Sequence, residues 1–320
     1  EKLRRSLKVK DGVLESWTGT DRSLAVPKDT AAVIGRAFSL NSFLEEIRLP
    51  AGVTDIQAQA FWQDTALKKV TFPATLERIG QAAFEGCTAL KSITLPNKLE
   101  TLEEHTFFRC SSLEKLRIPE GVQSIGKEAL AECRSLREVV IPSGVSSIAV
   151  GAFKNCSSLR QIVLPDTVTA IGAEAFFGCE KLESVVFGNG LHTIGDCAFV
   201  GCLALTRADL PESLKEIGAG AFAGCKKLDT VTGADSLAWG GKGVFVQTPW
   251  LRSIAREGVV IAEGCLEVYT GTETEFSIPQ GVTSIAQSAF EGNSTLSSVL
   301  IPEGVTRIED LAFARCPKLS

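Results

Sequence analysis

The chain has 320 residues, 44% of them hydrophobic, which is enough apolar material for a large core. A net charge of −5 leaves no electrostatic footprint for nucleic acid, and no apolar stretch reaches the length of a membrane span. Residue 1 is Glu and Met is absent, so a trimmed or mature chain is expected, with any targeting segment out of view.

In chain order, the first element is a basic run, Lys2, Arg4, Arg5, Lys8 and Lys10, which reads as a solvated terminus. Gly12-Val-Leu-Glu-Ser-Trp-Thr-Gly-Thr20 follows, and residues 1–32 are expected to form an N-terminal β-hairpin cap. From Val33 the sequence falls into rows of 23, beginning at Val33, Ile56, Ile79, Leu102, Ile125, Ile148, Ile171, Ile194, Ile217, Gly240, Ile285 and Ile308. The twelfth column is Leu in every row, from Leu44 to Leu319. The sixth is Phe in every row but one, where Leu130 stands, and ten of the twelve prolines share a third column. Such a period overrides a reading as two globular domains and predicts a single stacked solenoid.

One row shows the local physics. Leu90-x-x-Ile93-x-Leu95 alternates like a strand, and Pro96 ends it because proline cannot donate to a ladder. Leu99-x-x-Leu102 is a second short extended piece. Gly80 to Cys87 is then expected to be a short helical or 3-10 turn that drops Phe84 inward. Stacked rows are predicted to bury a continuous spine of phenylalanines.

The rows at 33–254 make ten repeats, and those at 285–320 two more, the last stopping at Ser320 with no cap visible. Between them 22 residues are inserted. Within 255–284 lies Gly264-Cys-Leu-Glu-Val-Tyr-Thr-Gly-Thr272, a second copy of the segment at Gly12–Thr20. This second hairpin reads either as another cap over the apolar stack or as a projecting element that meets a partner.

Seven cysteines share one column: Cys87, Cys110, Cys133, Cys156, Cys179, Cys202 and Cys225. Regular thiols could suggest a metal ladder or stacked disulfides. The same column also holds Asn41, Asp64, Thr248 and Asn293, a mixture that metal ligation would not tolerate. A small group that hydrogen-bonds nearby backbone fits all four types, so buried, reduced, structural thiols are expected. Two histidines, His105 and His192, stand far from any recognisable nucleophile, and no phosphate-binding loop, hydrolase elbow or metalloprotease motif occurs. The chain therefore reads as a non-enzyme that needs no cofactor.

The informative positions are the outward ones on the first strand of each row. Val140, Val163 and Val186 share an outward column, with Arg117, Arg137 and Arg160 beside them. An apolar stripe with an arginine edge is a candidate recognition surface, although valine also simply suits a strand.

Rows such as Ile79-Gly-x-x-Ala-Phe84-x-Gly-Cys87-x-x-Leu90-x-x-Ile93-x-Leu95-Pro96 resemble the BspA-like leucine-rich repeats over essentially the whole chain. Thr248-Pro-Trp250 and the hairpin after it resemble an interruption common in that family. The resemblance implies a right-handed leucine-rich solenoid, mainly β, on a secreted or cell-surface protein of host-associated anaerobic bacteria. It further implies attachment to a protein or glycan on a host or neighbouring cell, and it carries no catalytic residue. A structural spacer, with recognition elsewhere in a longer protein, is the alternative.

Overall fold

The computed structural model describes residues 6–234, 241–255 and 258–320. Each row of 23 bends into one coil with three sides. The first side is a three-residue strand such as Glu138–Val140, in which Val139 is buried and its neighbours face out, as the pleat requires. Pro142 ends that side, and its carbonyl accepts the N–H of Val145 at 3.1 Å to close the corner. The second side is a two-residue strand such as Ser147–Ile148, with Ile148 buried. Strands pair in parallel with their equivalents one coil away: Glu138 opposes Lys115, and Ile148 opposes Ile125. A slip of one residue would turn every buried side chain outward, so the identical columns hold the register.

The third side is not the short helix expected from sequence. In the row of Ile79, the N–H groups of Ala83, Glu85 and Cys87 reach back three residues, to the carbonyls of Gly80, Ala82 and Phe84. The alternate N–H groups, from Ala82, Phe84 and Gly86, cross to Glu104, Thr106 and Phe108 of the next coil at 2.9, 2.9 and 2.8 Å. Ala82 and Gly86 have φ of 53° and 74°, and such left-handed residues break any helix. The same two columns are left-handed in all twelve rows, from Arg36 and Leu40 to Leu311 and Arg315. The result is a β-solenoid of about 13 turns, with inter-coil hydrogen bonds on all three sides.

The core runs up the middle of the stack. Phe38, Phe61, Phe84 and Phe107 stack ring on ring at 4.8–5.6 Å, and Phe153, Phe176, Phe199, Phe222 and Phe245 do so at 4.9–5.3 Å. The spine is therefore not continuous. Leu130 separates the first two stacks, and a second break follows Phe245, whose ring meets Trp250 edge-on at 4.6 Å. Trp250 belongs to a five-residue helix, Pro249–Ser253, whose N-cap Thr248 accepts from the N–H of Leu251. Beyond that break the apolar core forms a separate cluster, from Val246 to Leu319. The row start at Gly240 lies outside the described residues.

Two hairpins have the same build. Leu7–Lys10 pairs with Val13–Trp17, and Val259–Ala262 with Cys265–Tyr269, each with one register shift. Asp11-Gly12 and Glu263-Gly264 make the turns with φ positive at both residues, the geometry that matches strand twist. Each outgoing strand then joins the second side of the solenoid: Leu14 opposes Val33, and Leu266 opposes Ile285. Trp17 and Tyr269 take places in the aromatic spine, 6.1 Å from Phe38 and 5.0 Å from Phe290. In the second hairpin every residue of Cys265–Tyr269 is buried, while Val259–Ala262 forms the edge of the sheet, half-buried with Ile261 exposed.

Candidate functional site

The first side of each coil lifts two side chains into solvent, and the parallel register aligns them. Val140, Val163 and Val186 are 47, 56 and 53% exposed, so the stripe read from sequence exists as a surface. Val163 opposes Val186, and Arg117 opposes Val140, extending the same column by one coil. At the other end Asp209 closes it, held by Arg207 at 2.7 Å and by the Thr232 hydroxyl at 2.6 Å.

Arg137 and Arg160 lie just before their strands and are exposed. Arg160 pairs with Glu183 at 2.7 Å, a contact that solvent largely screens. Among the described residues, Arg117 and Arg137 have no ion-pair partner. Two unengaged guanidinium groups beside half-exposed valines can offer planar, charge-assisted hydrogen bonds at the rim of an apolar contact.

The cysteine column is buried and faces the backbone. Each S–H donates to the carbonyl of the spine residue one coil back: Cys87 to Phe61 at 3.2 Å, Cys110 to Phe84 at 3.1 Å and Cys133 to Phe107 at 3.2 Å. Cys156 reaches Leu130, Cys179 Phe153, Cys202 Phe176 and Cys225 Phe199, at 3.2–3.4 Å. Burial pushes the thiols of Cys133 and Cys179 up to about 12, so they stay protonated and are poor nucleophiles or ligands. None of the ten cysteines is bonded to another. No cluster of three or more His, Cys, Asp or Glu among the described residues could hold a metal ion. His105 is half-buried, with Nε2 at 3.3 Å from Glu128.

Two carboxyl groups, those of Asp64 and Glu267, are buried. Asp64, in the cysteine column, accepts the N–H of Asn41 through Oδ1 at 2.9 Å, while Oδ2 is buried without a partner. Burial raises its pKa to about 8. Glu267, in the second hairpin, accepts the N–H of Gly243 through Oε1, and its Oε2 is likewise buried and unpaired. The column carrying Asp64 was visible in sequence. The burial of Glu267 was not, because strand alternation places it between Leu266 and Val268 on the outer face.

The stacked three-sided coils define a leucine-rich-repeat solenoid. The family model of the BspA type leucine rich repeat region matches residues 32–160, 146–265 and 261–320. This chain belongs to that family. Among solved structures, a leucine-rich repeat protein from Bacteroides ovatus is 25% identical over 97% of this chain and 88% of its own, with a TM-score of 0.68. A leucine rich cell surface protein from Faecalibacterium prausnitzii is 26% identical over 96% and 89%, with a TM-score of 0.65. A search of curated proteins returns no match. No helix among the described residues is long and apolar enough to cross a membrane.

Proposed function

We propose that the chain is a non-enzymatic binding scaffold, secreted or displayed at a cell surface, that recognises a protein or glycan on a host or neighbouring cell. The observation that carries this reading is the stripe of Val140, Val163 and Val186, half-exposed and in one column of the repeat, with Arg117 and Arg137 unengaged beside it. Apolar side chains standing in water at the centre of a rigid face, with arginine at the edge, have the make-up of an interface. The kinship with a protein described as a leucine rich cell surface protein supports the location.

The test is retention of labelled protein on host epithelial cells and on immobilised glycans. Replacing the three valines by Ser is expected to abolish retention while leaving the melting midpoint in place. Undiminished retention would move recognition to another surface. No retention by the unaltered chain on either support would favour the spacer.

A further inference from the structure

At the N-terminal end of the first side the corners after the strands open into a trough of about 740 Å³. Its walls are Val26, Pro27, Leu49, Pro50 and Pro73, from three successive coils, and Arg48 and Lys28 line it as well. Two of the corners that line it carry alanine. The residue after the corner proline is Glu120, Asp166, Glu212 or Glu303 in four later coils and Asn97, Ser143 or Gln280 in three others, but Ala51 and Ala74 here, and Lys28 in the first coil. No carboxylate or amide side chain lines the trough, and Thr71 brings the only hydroxyl. Among the described residues neither Arg48 nor Lys28 has an ion-pair partner.

The surrounding face has the same bias. Between residues 22 and 140, the two outward residues of each first strand and the residue before it include eight Lys or Arg against four Glu. Between residues 160 and 232 the same positions carry two Arg against three Asp or Glu. An acidic chain thus concentrates positive charge on one end of one face, where it raises the local concentration of anionic partners.

We propose that this trough docks an acidic, extended segment of a partner protein, whose apolar side chains fill the proline-lined floor and whose carboxylates meet Arg48 and Lys28. The floor decides between polypeptide and polysaccharide. Sugar hydroxyls would find a single hydroxyl and no carboxylate or amide side chain there, whereas leucine or proline side chains gain by leaving water. The trough shares a face with the valine stripe but no residue, the coil of Thr94 standing between Thr71 and Arg117.

The probe is a fluorescein-labelled peptide alternating glutamate with leucine and proline, read by fluorescence anisotropy. The full chain is expected to bind it saturably, and more weakly as salt screens the rim. The double variant Ala51→Glu with Ala74→Glu supplies the carboxylates that other coils carry at this corner, so the coil is retained, as circular dichroism melting checks. It is expected to weaken binding by about tenfold or more. The variant with Val140, Val163 and Val186 changed to Ser should bind the peptide as the native chain does, which separates this site from the stripe. Four results overturn the proposal. The peptide does not bind; its affinity survives the double variant; a peptide with serine for leucine and proline binds equally; or a heparin oligosaccharide binds more tightly and is the ligand lost in the double variant.

Discussion

Glu267 Oε1 accepts the backbone N–H of Gly243 at 2.9 Å. In the coil before, the residue of that column, Gly220, gives its N–H to the carbonyl of Lys242 at 2.9 Å. A side-chain carboxylate therefore stands in for a backbone carbonyl where the second hairpin meets the long stack, and where the phenylalanine spine and the apolar core both divide. The equivalent residue of the first hairpin, Glu15, is half-buried and pairs with Lys8 at 2.7 Å. One hairpin design thus stands before the first row and again between two stacks. Glu267→Ala leaves the Gly243 N–H without its acceptor and is expected to cost about 1–3 kcal/mol. Glu267→Gln keeps an acceptor oxygen and should cost less. Urea unfolding of the two variants checks the order, and equal losses would deny the carboxylate this role.

Asp64 makes stability depend on pH. Burial raises its pKa from 3.8 to about 8, so the folded state holds a proton that the unfolded state releases. The sign follows: its stabilising effect is complete below about pH 4 and is lost as pH rises towards 8. Asp64→Asn keeps the acceptor for the Asn41 N–H and adds a donor of the kind that Asn41 and Asn293 direct to the carbonyls of Gly19 and Gly271. The variant should show a urea midpoint above the native one at pH 8, with the gap closing at pH 4. A gap independent of pH would assign the effect to something other than the carboxyl.

The columns were legible because every coil sits between two coils like itself. Phe84, Cys87 and Leu90 each meet the environment that Phe107, Cys110 and Leu113 meet, so selection for packing prints the same letter at the same spacing. The third side was misread for a physical reason. Gln81-Ala-Ala-Phe-Glu85 has fair helix propensity, but each coil gains hydrogen bonds to the next by placing Ala82 in the left-handed region, and tertiary bonding overrides a weak local preference. The valine stripe could be read because exposure alternates along a strand. The trough could not be read the same way, since its signal is the smallness of Ala51 and Ala74 in a column that is polar in the other coils. Glu267 looked outward by alternation and is buried only because the preceding coil lies over it.

The thiols should divide by burial. Cys197 and Cys316 are half-buried, and the other eight are buried. A thiolate is the reactive form, and burial drives Cys87, Cys110 and Cys156 well above their usual range. Titration with a disulfide reagent at pH 8 is expected to modify Cys197 and Cys316 first in the folded protein. Unfolding without reductant should release the rest, to a total of ten. A total well short of ten would show disulfides in the column.

Phe153 is wholly buried and begins the second stack, 5.3 Å from Phe176 with the rings 1° from parallel. Beyond it stands Leu130 rather than another ring, so the void left by truncation has no aromatic neighbour on that side to close over it. Phe153→Ala is expected to cost about 3–5 kcal/mol through lost burial and cavity formation. Calorimetry would measure it, and an unchanged midpoint would sink the packing described for the spine.

Leu40 offers a gain. Its φ is 62°, a conformation that costs a residue with a Cβ about 1–2 kcal/mol, and its side chain is 65% exposed, so little burial offsets that cost. The same column carries glycine at Gly86, Gly178, Gly201, Gly224 and Gly292. Leu40→Gly keeps the N–H bond to the Trp62 carbonyl at 2.8 Å, because that bond is made by the backbone. Relief of the left-handed strain exceeds the extra chain entropy of glycine, about 0.5–1 kcal/mol, so the variant should be more stable by about 0.5–1 kcal/mol. Gln63→Gly is the control: its φ is 59°, but its side chain packs beside Gly86, so the same backbone relief is set against lost contact. A larger gain at Gln63 than at Leu40 would show that exposure of the side chain does not govern the balance.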